Sequence, residues 1–376
     1  MTTHPTPPAP APVTPPAPAP ATLAATRERL WAALDARDEH AAAATVFAAR
    51  DAGIPVEDLL LDVIGPVQAK VGREWAAGRL TVAQEHAVTA IQDRVIAALA
   101  HRIPGPRPAG GPTGGRVTVA CVDGEWHALP ARLLAEVLRG RGFTVDYLGA
   151  QVPTPHLIAH LHQNGSDTVA LSSSLPVRLP TAHAAITAVQ AVGLPVLVGG
   201  AAFGPDGRYA RLLGADGWAP DARAAADLLA VGLRRPGDAP TTPEQGLPHL
   251  LDQEYTLVTR TRVQLTRDVL AGLEAKVPAM AAYSAQQRDR TAEDIAHIVD
   301  FLAASLYTDD AELFVGFLSW TAGILRARGV PVGALLAALD LLADAQRDFP
   351  RARAHLAAGH RALTRIPTPP TPGPHA

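Results

Sequence analysis

The sequence predicts a multidomain protein of mixed class: a four-helix bundle, then a doubly wound parallel α/β domain, then an all-α domain. Three observations predict it. Apolar residues recur at helical spacing from Thr22 to His101, short β-branched runs alternate with amphipathic stretches from Arg116 to Gly232, and helical spacing returns without a strand signal from about Leu250. Stretches dense in Pro and Gly at 102–115 and 233–248 read as the links between them. With 376 residues and 48% apolar composition the chain can build several cores.

In the first segment, 22–101, the repeating residues are Leu30, Ala33 and Leu34, then Leu59, Leu60, Val63, Ile64 and Val67, then Val88, Ile91, Val95 and Leu99. Gly78 can stop one helix, and Thr81 with Gln84 forms a capping box that starts the next. Trp75 then sits near the end of one helix, while Glu85 and His86 lie in the first turn of its antiparallel neighbour, at the same end of the bundle.

In 116–232 the strands read RVTVACV, FTVDYLG, DTVALSSS and LPVLVGG, with a weaker fifth at ADGWA. Helices start near Pro130, Pro155, Pro180, Pro205 and Asp221. Strand–helix alternation at this spacing implies parallel strands joined by crossovers. In the third segment, 249–364, TAEDIAHIVDFLAASLY is expected to open a helix at Thr291 and Asp294, with Ile295, Ile298, Leu302 and Leu306 on one face. AELFVGFLSWTAGILRARG places Leu313, Phe317, Trp320 and Ile324 on one stripe and ends on Arg326, Arg328 and Gly329, which suits a helix C-terminus.

Composition excludes several roles. A net charge of −3 supplies no basic field for nucleic acid. The single cysteine, Cys121, has no thiol partner, which fits a reducing, cytoplasmic compartment. Residues 1–21 lack the basic and apolar regions of a signal peptide, and no run is long enough for a membrane span. This Pro/Ala-rich leader and the Pro/Thr-rich tail at 365–376 read as disordered.

In an open parallel sheet ligands bind beyond the carboxyl ends of the strands, near the reversal of strand order. The loops there read DGEWHALP, SSSLP and GGAAFG. The first has no Gly-rich dinucleotide fingerprint, and strand three ends in Ser172, Ser173 and Ser174 rather than a phospho-accepting Asp. Glu125-Trp126-His127, Ser173-Ser174-Leu175 and Gly199-Gly200 together resemble the cobalamin-binding module, whose sheet is flavodoxin-like (cobalamin-binding Rossmann-like). Where that module has Gly three residues after its His, this chain has Pro130, which can start the following helix. The resemblance implies that His127 is the lower ligand to cobalt, with Glu125 or Asp123 holding its other nitrogen.

Trp75, nine residues, then Glu85-His86 is similar to the pattern in adenosylcobalamin photoreceptors of the MerR repressor type. That implies a four-helix cap over the upper face of the corrin, with Trp75, Glu85 and His86 on the adenosyl group. Those repressors have a winged DNA-binding domain before the bundle, where this chain has its Pro/Ala-rich leader, so direct DNA binding is not expected to carry over. They also have a His directly after the Trp, where this chain has Ala76. A following all-α domain resembles photocobilins, in which a globin-like domain binds biliverdin. His297, Tyr283, Tyr307, Trp320, Arg288 and Arg290 are the candidate contacts, and attachment is expected to be non-covalent because this domain has no cysteine. The resulting expectation is a light sensor without catalysis, homo-oligomeric, signalling to a protein partner. A cobalamin carrier for methyl transfer and a cobalamin-abundance sensor without light response are the alternatives.

Overall fold

Thr22 begins the first helix by accepting a hydrogen bond from the Ala25 amide. The computed structural model describes residues 22–102, 114–234 and 246–365; the leader, the tail from 366 and most of both Pro-rich links lie outside the described residues. Helix α1 (Leu23–Asp35) packs on α2 (Glu39–Asp51), which Asp38 caps. The third rod is composite: α3 (Val56–Asp58) continues through a π-helical stretch, Leu59–Ile64, into α4 (Gly65–Ala76). Gly78 turns the chain at φ 73°, and the Thr81–Gln84 capping box starts α5 (Val82–Ala100). All twelve apolar residues named above for this segment are buried.

The α/β region runs β1 (Arg116–Cys121), α6 (Leu129–Gly140), β2 (Thr144–Gly149), α7 (Thr154–Asn164), β3 (Thr168–Ser172), α8 (Leu179–Ala191), β4 (Val196–Gly199), α9 (Arg208–Leu212), β5 (Gly217–Ala219) and α10 (Ala222–Val231). Every strand pair is parallel and the order is β2-β1-β3-β4-β5. Strand order therefore reverses between β1 and β3, where two loops diverge and leave a crevice. The expected helix start at Pro205 is displaced to Arg208, because Gly207 at φ 70° breaks the backbone first.

The last region contains α11 (Glu254–Lys276), α12 (Ala285–Thr308), α13 (Ala311–Ala327), α14 (Gly333–Ala345) and α15 (Pro350–Thr364). Helix α12 does not open at Thr291: Ser284 and Gln287 form the capping box, and the Thr291 hydroxyl donates to the Gln287 carbonyl inside the helix. Two equally good polar signals lay in sequence, and the upstream one took the terminus.

Two docking surfaces place these regions around the sheet. The cap shares a core with the α6 and α10 layer. At its edge Arg223 donates to Glu57 (3.2 Å), Asp58 (2.7 Å) and Asp62 (2.6 Å), while Arg141 donates to Glu57 (2.8 Å). On the opposite sheet layer, Ala304 and Leu313 join the core beneath α7, α8 and α9. Tyr209 donates to Asp310 at 2.8 Å and the Tyr307 hydroxyl lies 2.7 Å from His183 Nδ1. The cap and the C-terminal helices thus flank the sheet and meet over its carboxyl edge. Among the described residues no helix is long and apolar enough to cross a membrane.

Candidate functional site

Glu125, in the loop after β1, organises the crevice. Its carboxylate is fully buried and accepts from the His127 amide (2.9 Å), Ser173 Oγ (3.2 Å), the Ser174 amide (2.7 Å) and the Leu175 amide (3.0 Å). Its Oε1 also lies 2.6 Å from His127 Nδ1. Burial alone would raise the Glu125 pKa; hydrogen bonds from the His127 ring and amide and from the Ser174 and Leu175 amides outweigh it and bring the value down to about 2. One carboxylate therefore ties the β1 loop to the β3 loop across the switch point. It also fixes Nδ1 of His127 as its partner and leaves Nε2 as the nitrogen able to bind a metal. Of the two acids offered by the sequence, Glu125 and not Asp123 holds the ring.

Gly200 serves a local need. At φ 98° a Cβ there would lie 2.3 Å from the Ser173 carbonyl oxygen, so glycine lets the β4 loop close on the β3 loop. Gly199 and Gly200 line a small cavity of about 120 Å³ with Pro130, Leu134 and Asp221. Pro130 stands in the first turn of α6, where it costs no hydrogen bond.

The cap brings a second carboxylate–imidazole pair. Glu85 Oε2 is 2.7 Å from His86 Nδ1, and Glu85 Oε1 accepts from Thr89 at 2.8 Å. Thr89 in turn accepts from Gln68 at 2.8 Å, and Gln68 accepts from buried Gln92. Trp126 lies between the two imidazoles, its ring centroid 3.9 Å from that of His127 and 6.0 Å from that of His86.

His127, Trp126, Leu175, Trp75, Glu85 and His86 all line one cavity of about 1260 Å³. The third wall is the C-terminal region, through Tyr255, Arg262, His297, Asp300, Phe317 and Trp320. Of the six candidates there, His297 and Trp320 reach the cavity. Tyr283, Arg288, Arg290 and Tyr307 are not among its lining residues. Tyr307 instead holds His183, and Arg288 pairs with Glu274 at 3.6 Å. Sequence reasoning missed Tyr255, Arg262, Asp300 and Phe317. They come from three helices with no shared local motif, and the Arg262–Asp300 ion pair forms only once α11 packs on α12. Arg178 was also missed; it lines the cavity, and its buried Nε has no acceptor among the described residues.

This volume exceeds the roughly 300–1,000 Å³ of ordinary small-molecule sites, and its donors suit a large ligand carrying a metal and peripheral carbonyl or carboxylate oxygens. Residues 26–100 and residues 115–227 each match a family model described as a B12 binding domain. This is a cobalamin-binding segment. The HTH-type transcriptional repressor CarH of Myxococcus xanthus is 32% identical over 154 residues, 40% of this chain and 50% of that protein. The chain thus spans about half the length of this curated relative. Among solved structures, the monomethylamine corrinoid protein of Methanosarcina barkeri matches at 17% identity and a TM-score of 0.47, over 55% of this chain and 97% of the other. A cobalamin-binding protein from Desulfitobacterium hafniense DCB-2 matches at 20% identity and a TM-score of 0.30, over 55% and 96%. The helical cap and five-stranded domain of this cobalamin-binding segment contribute two walls of the cavity; the third lies outside both matched ranges.

Proposed function

We propose that the protein is a light-sensing receptor that binds adenosylcobalamin in the large cavity and biliverdin, non-covalently, against the globin-like C-terminal helices. The observation that carries this reading is the placement of Glu125-held His127 and the cap's Trp75, Glu85 and His86 on one cavity. His127 Nε2 would be the lower ligand to cobalt, with Glu125 fixing the ring and keeping the other nitrogen occupied. Gly199 and Gly200 would let the nucleotide tail approach the backbone at the sheet edge. Trp75 would pack on the adenosyl group, held on its polar side by Glu85 and His86. When bound, the cofactor supplies a cobalt–carbon bond that light breaks.

Loss of the adenosyl group would remove what Trp75 rests on and shift the cap toward a displaced population, a ligand-linked change rather than turnover. On this reading the protein is cytoplasmic and not an enzyme. It forms homo-oligomers, dimers in the simplest case, whose association depends on light, and signals to a protein partner. At the C-terminal wall Arg262 is already paired with Asp300; Arg73 of the cap and Arg178 of the turn after β3 also line the cavity and would be the cations available to a ligand's oxygen atoms.

The test is the absorption spectrum of protein purified in darkness with adenosylcobalamin and biliverdin, before and after green light, beside His127→Ala. The expected result is a photolysed cobalamin spectrum, a co-purifying red-absorbing band, and loss of lower-ligand features in the variant. Bound cobalamin without the red band removes biliverdin from the reading, and a spectrum insensitive to light leaves a cobalamin-binding protein that is no photoreceptor.

A further inference from the structure

Trp320 is half exposed yet not a free surface residue: its ring centroid lies 6.0 Å from that of Trp75, at 34°. Arg328 stands over the same Trp75 ring at 5.5 Å. A Cβ on Gly78 would lie 3.6 Å from Arg328 Cγ, so the turn that ends α4 rests on the end of α13. The Trp75 indole is therefore held by two side chains of the C-terminal region, within the spacing at which tilted aromatic pairs and cations over rings attract.

Helix α13 is a firm support. Its opposite face, Phe314, Leu318 and Ala322, is fully buried, and Phe317 stacks on Phe301 of α12 at 3.8 Å and 7°. The cap's ion-paired anchor at Glu57, Asp58 and Asp62 lies at the far end of the same helical rod, about 20 to 27 Å from Trp75 at 1.5 Å per residue. Nothing at that anchor can fix the Trp75 ring; Trp320 and Arg328 can.

We infer that Trp320 and Arg328 are positioning residues that set the Trp75 ring and thereby decide which upper substituent on cobalt the cavity prefers. This rests on the cobalamin reading given above. A bulky substituent carrying an aromatic base would gain from stacking on a fixed indole, whereas a hydroxyl or water in its place would be too small to reach it. Affinity for the two forms of the cofactor must then respond differently to α13.

The experiment titrates the full chain in darkness with adenosylcobalamin and with hydroxocobalamin, following absorption. Trp320→Ala is expected to weaken adenosylcobalamin about three- to tenfold and hydroxocobalamin far less, and the hydroxocobalamin binding that remains also shows that the variant is folded. Trp320→Phe restores much of the preference, and Arg328→Ala loses about two- to fivefold. In a Trp75→Ala background the Trp320 substitution has no further effect, since it acts through that ring. Equal weakening of both cobalamins, an unchanged ratio, or an effect that persists in full without Trp75 overturns the inference. If the unaltered protein binds neither cobalamin, the cobalamin reading itself fails, and that result is distinct from the other three.

Discussion

Replacing Glu125 with Gln removes the charge at the centre of the crevice while keeping the side chain's shape. Five donors converge on the two carboxylate oxygens, the His127 amide and ring on one, Ser173 Oγ and the Ser174 and Leu175 amides on the other. A carboxamide can offer only one acceptor oxygen, so its NH₂ must face donors on one side. The fall of the Glu125 pKa from 4.5 to about 2 corresponds to about 3 kcal/mol in favour of the carboxylate over the neutral acid. Burial opposes that preference; the hydrogen bonds from the His127 ring and amide and from the Ser174 and Leu175 amides produce it.

Since the folded value lies below the unfolded one, this stabilisation is complete above about pH 4.5 and is lost as pH falls toward 2. Amide hydrogen exchange at Ser174 and Leu175 reads it directly. At pH 7 Glu125→Gln should reduce their protection on the order of 10²-fold, with β1 and β3 amides affected far less. Protection of Ser174 and Leu175 within threefold of the unaltered protein would refute the assignment of Glu125 as the tie between the loops.

Other outcomes follow from the same geometry. Gly200→Ala forces a side chain onto the Ser173 carbonyl at positive φ, and should lower the thermal midpoint of the α/β domain by upward of ~5 °C, against ~2–4 °C for Gly193→Ala, which has positive φ but no atom within 4 Å of its Cβ. Burial pushes the Cys121 thiol up to about 12, so a thiol reagent at pH 8 should leave it unmodified in the folded protein and label it fully in guanidinium. Arg223→Ala breaks the ion pairs to Glu57, Asp58 and Asp62 in a partly exposed cluster. Its cost, measured by urea unfolding of the cap, should be about 1 kcal/mol at low salt and should shrink in 1 M NaCl; a larger, salt-independent loss would show that packing rather than charge holds that edge.

Much of the architecture was legible because it is written locally. A period of 3.6 marks helices, β-branched runs mark buried parallel strands, and Thr81 with Gln84 announces a helix start whatever lies around it. The two-residue spacing of Glu125 and His127 likewise set up their contact within one loop. Where two local signals competed, as Ser284 did with Thr291, spacing could not rank them.

What only the tertiary structure decided is the company these residues keep. Leu313, Phe317, Trp320 and Ile324 share a stripe in sequence, yet Leu313 and Ile324 are buried while Phe317 and Trp320 face the cavity. Helical periodicity cannot distinguish a side chain against a core from one against a ligand cavity, since both are apolar and both repeat every three to four residues. Nor does any local pattern bring Trp75 to Trp320, 245 positions later in the numbering. That contact depends on the cap and the C-terminal helices docking on opposite layers of the same sheet. The sequence determined which elements form and which groups are chemically able to bind; long-range packing determined which of them share a cavity.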